Sequence, residues 1–169
     1  PTSLAAYQAL NTLLRRGEAV YRLDAAYAEG NLSLPAGSYL IPGDPALANE
    51  LAETWALELV ALENIPAATT RLHLPSIAVS GDSGVMVALD RLGFEVAPVS
   101  SYDLNQGVLQ GFDVFINASS SWSYLNKQGR QAFQSWSTAG GDYLGLGSAG
   151  ANLAVQSGII TASYSLADA

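Results

Sequence analysis

The amino-acid sequence predicts an α/β fold in which helices cover a mainly parallel β-sheet. In the second half of the chain, short apolar runs alternate with amphipathic segments, a pattern typical of consecutive strand–helix–strand units. Hydrophobic residues make up 49% of the chain and charged residues 13%, which fits a buried sheet and argues against disorder. We therefore expect a three-layer sandwich of the flavodoxin-like or Rossmann-like class.

The strands of this sheet are expected at four apolar runs, 77–79, 96–99, 114–116 and 143–146. Amphipathic helices are expected after the first and the third run, ending at Gly93 and Gly140. The chain stops soon after the apolar run 158–161 and does not begin with methionine. We therefore expect a piece of a longer protein, with its α/β domain truncated at the C-terminus.

The first 70 residues predict a smaller segment of helix, β-hairpin and helix that precedes the α/β domain at 71–169. A helix is expected at 4–16, and a strand at 19–23 is expected to pair with 38–41 across a polar turn at 28–31. Asp44 followed by Pro45 predicts the start of the second helix, with Asp44 as its N-cap. Apolar residues at four-residue spacing continue this helix: Leu47, Leu51, Trp55 and Leu59.

Charge and composition exclude several classes of function. The net charge is −8, from seven basic and fifteen acidic residues, and it disfavours binding to nucleic acid or to an anionic membrane. No apolar run approaches the ~18–20 residues of a membrane span. The chain has no cysteine and one histidine, His73, so thiolate zinc sites, disulfides and a cysteine nucleophile are excluded. We therefore expect no metal or cofactor in this chain.

Three glycine- or serine-rich loops are the candidate binding positions, because each follows a predicted strand of the sheet. The loop Gly81–Gly84 has the Gly-Asp-Ser-Gly sequence found around the nucleophile of serine proteases, but here it lies between a predicted strand and a predicted helix. We therefore favour a helix cap at Asp82 over a ligand-facing role for Asp82 and Ser83. The loop Asn117–Trp122, which contains Ser119 and Ser120, follows an apolar run and could line a ligand crevice. The favoured alternative is a solvated loop in which Ser123 or Asn126 caps the next helix.

The third loop, Gly145–Gly150, has the strand–turn–helix pattern of a nucleophile elbow. Gly147 or Ser148 occupies the position of the nucleophile. A serine nucleophile needs a neighbouring base, and no histidine follows His73. Close backbone packing by the glycines is therefore favoured over catalysis by Ser148, and Gly147 and Ser148 are retained as ligand-binding candidates.

Segments along nearly the whole chain resemble the region that follows the peptidase domain in bacterial zinc carboxypeptidases of the carboxypeptidase A type. The similar segments are 13–22, 34–41, 74–79, 88–95, 111–114 and 139–149. That region is similar to class I glutamine amidotransferase-like domains and generally lacks their Cys–His–Glu triad, as this chain does. The resemblance implies an exported protein, secreted or periplasmic. It places the zinc only in a preceding peptidase domain of the same polypeptide, which would be the partner of this chain.

These observations predict a non-catalytic accessory domain that supports or regulates a zinc metallocarboxypeptidase. Two alternatives stay open. The first is a small-ligand or sugar-binding domain that uses the three loops, and the second is a hydrolase that depends on Ser148.

Overall fold

The computed structural model describes residues 3–161 and divides the chain into two compact units, Pro1–Leu74 and Pro75–Ala169. The boundary between the two segments was predicted from the sequence to lie after residue 70. Within residues 3–161, no helix combines the length and the apolar character needed to cross a membrane.

The first unit contains two helices, a three-stranded sheet and a separate hairpin. Ser3 caps the first helix by accepting a hydrogen bond from the Ala6 amide at 3.2 Å, and Ala9, Leu10 and Leu13 bury its inner face. The elements in chain order are α1 (Leu4–Arg15), β1 (Tyr21–Leu23), β2 (Tyr27–Glu29), β3 (Leu32–Leu34), β4 (Tyr39–Leu40), α2 (Pro45–Trp55) and β5 (Thr69–Arg71).

The pairing of the first predicted strand with 38–41 is present, because Tyr21 lies opposite Leu40 in an antiparallel ladder. The structure adds two features. Strand β5 pairs with the other edge of β1, giving the order β4-β1-β5, and the predicted turn at 28–31 lies within the hairpin of β2 and β3. Strands of three residues are too short to show a clear alternation of apolar and polar residues.

Helix α2 begins as predicted, since the Asp44 side chain accepts the Ala46 amide at 2.9 Å. It ends one turn earlier than the apolar spacing predicts. Ala56 has a positive φ of 50°, which terminates the helix, and Leu59 lies beyond it with 42% of its surface exposed. The four-residue spacing of Leu59 is therefore not helical.

The second unit is a four-stranded parallel sheet flanked by helices. The strand order is β7-β6-β8-β9, and all three neighbouring pairs are parallel. The elements are β6 (Ile77–Ser80), α3 (Ser83–Arg91), β7 (Val96–Pro98), α4 (Ser101–Asn105), a 3-10 turn (Val108–Gly111), β8 (Val114–Asn117), a 3-10 turn (Trp122–Tyr124), α5 (Lys127–Thr138), β9 (Asp142–Gly145) and α6 (Gly147–Ser157).

Side chains from the two faces of this sheet belong to two different core clusters. Ala78 and Phe115 pack with residues of α4, α5 and α6, whereas Val79 and Ile116 pack with residues of α3. Phe115, Phe133 and Trp136 form an aromatic centre in the first cluster, with ring centroids 5.9–6.4 Å apart. The arrangement confirms the predicted α/β architecture and is compatible with three layers.

Candidate functional site

The order of the parallel strands reverses between β6 and β8. From β6 the chain moves to β7 on one side, then crosses to β8 on the other side. In open α/β sheets, ligands bind outside the carboxyl ends of the strands at such a reversal. The last residues of the two strands, Ser80 and Asn117, are partners in the parallel register, so they define this position.

Serine hydroxyl groups fill the space beside Ser80. The Ser80 Oγ atom lies 2.9 Å from Ser119 Oγ and 2.7 Å from Ser120 Oγ, and Ser120 Oγ lies 3.4 Å from Ser101 Oγ. Ser80 and Ser120 are almost completely buried, each 1% exposed. Because buried hydroxyl groups cost stability without partners, this mutual hydrogen bonding lets the four serines share one site.

Asn117 is the second centre of the network, and its side chain is fully buried. Its Nδ2 atom donates to the Ser120 carbonyl at 2.8 Å and to the Tyr143 hydroxyl at 3.0 Å. Its Oδ1 atom accepts from the backbone amides of Ser120 at 2.8 Å and Ser119 at 3.3 Å. One side chain therefore satisfies the backbone of the loop after β8 and ties that loop to β9.

Tyr143 extends the network to α6, because its hydroxyl donates to the Gly150 carbonyl at 2.8 Å. Burial raises the pKa of Tyr143 to about 12, while the hydrogen bond with Asn117 acts in the opposite direction. The raised pKa favours the protonated hydroxyl in the folded state, so its contribution to stability is complete below the ordinary tyrosine pKa of about 10 and is lost as the pH rises toward 12. At neutral pH the hydroxyl therefore both accepts and donates.

Close packing at two glycines brings the neighbouring segments together at this edge of the sheet. A Cβ atom added at Gly81 would overlap the side chain of Ser119. A Cβ atom added at Gly150 would lie 2.5 Å from Gly145 Cα and 2.7 Å from the Asn117 carbonyl oxygen. The loops after β6 and β8 therefore contact each other, and α6 lies directly against the ends of β8 and β9.

In the first candidate loop, Asp82 acts as the N-cap of α3, in agreement with the favoured interpretation. Its Oδ1 atom accepts the amides of Gly84 at 2.7 Å and Val85 at 3.1 Å. Ser83 is the exposed first residue of the helix.

Loss of this cap gives a first prediction. We expect Asp82→Ala to lower the free energy of unfolding by about 1 kcal/mol, because two amides at the start of α3 lose their acceptor. Chemical denaturation followed by circular dichroism measures the change. Asp90→Ala, near the other end of α3, is the matched control and should change stability by less than ~0.5 kcal/mol. Equal effects of the two substitutions would contradict the capping role.

The third candidate loop has the backbone of a nucleophile elbow. Gly147 has a positive φ of 61°, and it is the first residue of α6. The next residue, Ser148, is exposed, and its side chain has no hydrogen bond to any residue between 3 and 161. The one histidine of the chain, His73, belongs to the other unit, so the α/β unit has no histidine to serve as a base.

The structure places the six candidate residues in three different environments. The Asp82 side chain caps α3, and the buried Ser120 hydroxyl is bonded to the Ser80 hydroxyl. Ser119 is exposed but is bonded to Ser80. Ser83, Gly147 and Ser148 are exposed at the starts of α3 and α6. Only Ser119 and Ser120 are brought together by side-chain bonds, through Ser80.

Sequence reasoning missed Ser80 and Tyr143, and it placed Asn117 in a solvated loop. Ser80 and Asn117 could have been found from the sequence, because each is a polar residue at the end of an apolar strand. In a parallel sheet, the residue at that end of the strand lies at the edge where ligands bind. From the sequence alone, Tyr143 would be interpreted as an aromatic residue of the core. Asn126 does cap α5, accepting the Gly129 amide at 2.8 Å, as one alternative for this loop predicted.

Among the residues that the structure describes, no group of three or more His, Asp or Glu side chains could hold a metal ion. The chain matches no protein-family model, no curated protein and no solved structure. The functional assignment therefore depends on the residues of the site and on the resemblance described above.

Proposed function

We propose that this chain is a non-catalytic accessory domain of an exported zinc metallocarboxypeptidase, and that it supports or regulates the peptidase domain of the same polypeptide. We further propose that its second unit is a flavodoxin-like, class I glutamine amidotransferase-like sandwich. The order β7-β6-β8-β9 supports this, because it matches the first four strands of the 2-1-3-4-5 order of flavodoxin-like sheets.

The observation that carries the non-catalytic assignment is the glycine at the elbow. In enzymes with this turn, the nucleophile itself occupies the strained position between the strand and the helix. Here that position holds Gly147, whose positive φ gives the turn its shape while no side chain is present to react. Ser148 lies one position later, and no base or orienting group among residues 3–161 is bonded to its side chain.

The filled crevice at the strand reversal supports the same proposal. The groups that could recognise a ligand there, the Ser80 hydroxyl and the Asn117 amide, are buried and bonded to protein atoms. A ligand would have to break these bonds to enter. The network fits a structural role in holding three loops together.

Activity measurements test the proposal. We expect this chain alone to hydrolyse neither glutamine, p-nitrophenyl acetate nor a carboxypeptidase peptide substrate above the background rate, with or without added zinc. The full polypeptide should remove C-terminal residues from peptides and lose that activity when zinc is chelated.

The variant Ser148→Ala separates the proposal from the serine-hydrolase alternative, and Ser83→Ala is the matched control because Ser83 is also an exposed serine at a helix start. We expect neither variant to change any residual rate by more than about twofold. A hydrolysis rate that Ser148→Ala abolishes and Ser83→Ala preserves would overturn the non-catalytic assignment.

A further inference from the structure

Strand β9 forms one open edge of the parallel sheet. It pairs with β8 on one side, and no strand in the described part of the chain lies on its other side. The amides of Asp142 and Leu146 each donate to a carbonyl group of the segment 113–117 at 2.8 Å. Because alternate residues of a parallel strand bond to the same neighbour, the backbone groups of Tyr143 and Gly145 point away from β8.

The two edges of the sheet differ in how they are protected. Edge strands commonly carry proline, lysine or a bulge, each of which hinders pairing with a further strand. At the β7 edge the Val99 amide donates to the Val79 carbonyl, so the nitrogen of the preceding residue, Pro98, lies on the outer side and offers no N–H group. Strand β9 has no proline, no lysine and no break in its register, and Leu144 is 51% exposed. The β9 edge is therefore suited to accept another strand.

The position of α6 indicates on which side of β9 a following strand lies. Connections between parallel strands of one sheet have the same right-handed sense, so the face that a helix covers determines the direction of the next strand. The chain moves from β7 to β8 through α4 and from β8 to β9 through α5, and both helices pack in the core cluster of Phe115. Helix α6 adds Leu153 to the same cluster. A parallel strand that follows α6 therefore lies beyond β9, at the open edge.

The segment 162–169 has the position and the sequence pattern that this edge requires. Four residues separate α3 from β7, and three separate α5 from β9. Helix α6 ends at Ser157, so the same spacing starts a strand at residue 161 or 162. The sequence of 162–166 is Ala-Ser-Tyr-Ser-Leu, in which apolar residues alternate with serine. This period of two is typical of a strand with one buried face.

We infer that the segment 162–169 docks on the open edge of β9 as a fifth parallel strand, bonded to the backbone groups of Tyr143 and Gly145. The inference depends on the faces of the sheet, the handedness of the connections and their lengths, and on none of the reasons given for the accessory function. A fifth strand there would extend the proposed flavodoxin-like order, whereas the activity measurements test the accessory role separately.

Hydrogen exchange resolved residue by residue by NMR tests the inference by comparing the chain 1–169 with a variant that ends at residue 161. We expect the amides of Tyr143 and Gly145 to exchange at least about tenfold more slowly in the longer chain, because only there do they meet carbonyl partners. The Val96 amide is the matched control, since it lies on the outer side of β7. Its exchange rate should be the same in the two chains.

Nuclear Overhauser effects in the chain 1–169 give a second measurement that does not require the shortened variant to fold. We expect contacts between backbone protons of 162–166 and those of 142–145, in the pattern of parallel strands. Equal exchange of the Tyr143 amide in the two chains would overturn the inference, and so would an antiparallel pattern or the absence of these contacts. Slowing that increases with protein concentration would indicate a second copy of the chain at this edge and would also overturn it.

Discussion

Asn117→Ala is expected to lower the free energy of unfolding of the α/β unit by about 3–5 kcal/mol. The substitution leaves the Ser120 amide and carbonyl without a partner at the end of β8, and it removes one of the two hydrogen bonds of the Tyr143 hydroxyl. Each buried polar group that loses its partner costs about 1–3 kcal/mol, and the cavity adds to that cost. Urea denaturation followed by tryptophan fluorescence and circular dichroism measures the change.

Asn152→Ala is the matched control for Asn117→Ala. The Asn152 side chain is partly exposed and accepts one hydrogen bond, from Ser121 Oγ at 3.0 Å. Water can replace that bond, so we expect a loss below about 1 kcal/mol. A loss of this small size for Asn117→Ala would show that the loop after β8 does not depend on the buried amide.

Gly150→Ala is expected to destabilise the α/β unit by about 3 kcal/mol, although the same change in an open helix stabilises by about 1 kcal/mol. The added methyl group would meet backbone atoms of Gly145 and Asn117 at 2.5–2.7 Å. Backbone cannot rotate out of the way as a side chain can, so α6 must move away from β9. Overpacking of this kind costs about 1–3 kcal/mol or more, and the shift also strains the bond from Tyr143 to the Gly150 carbonyl.

Gly111→Ala controls for the general effect of replacing glycine in this unit. A Cβ atom at Gly111 has no atom within 4 Å, and the residue has no positive φ. We expect a change within about 0.5 kcal/mol by thermal or urea unfolding. A stabilised Gly150→Ala protein would mean that α6 and β9 are further apart than the structure indicates.

The parallel sheet could be predicted because its strands are strongly apolar. The central strands β6 and β8 are buried on both faces, so Ile77–Val79 and Val114–Ile116 stand out as uninterrupted apolar runs. Strand β5 could not be predicted, since Thr69, Thr70 and Arg71 are polar and the strand is defined by pairing with β1, nearly fifty residues away in sequence. Pairing partners at such distances are a property of the fold and leave no local pattern.

The sequence indicates which loops to consider for a site, but not the side-chain contacts that those loops make. The rule that ligands bind at the carboxyl ends of parallel strands directs attention to the loops after β6, β8 and β9. Local sequence does not reveal that Ser80 and Ser120, forty residues apart, share a hydrogen bond of 2.7 Å. Whether a serine faces a ligand or another serine depends on the register between β6 and β8, which only the assembled sheet determines.

Gly147, the first residue of α6, determines how much backbone strain the turn between β9 and α6 carries. An enzyme that holds a serine or cysteine at a positive φ carries about 1–3 kcal/mol of backbone strain, which the rest of the fold must offset. Gly147 adopts its φ of 61° without that strain, and a Cβ atom there would find open space. The turn between β9 and α6 therefore has a positive φ at the first residue of the helix without that energetic cost.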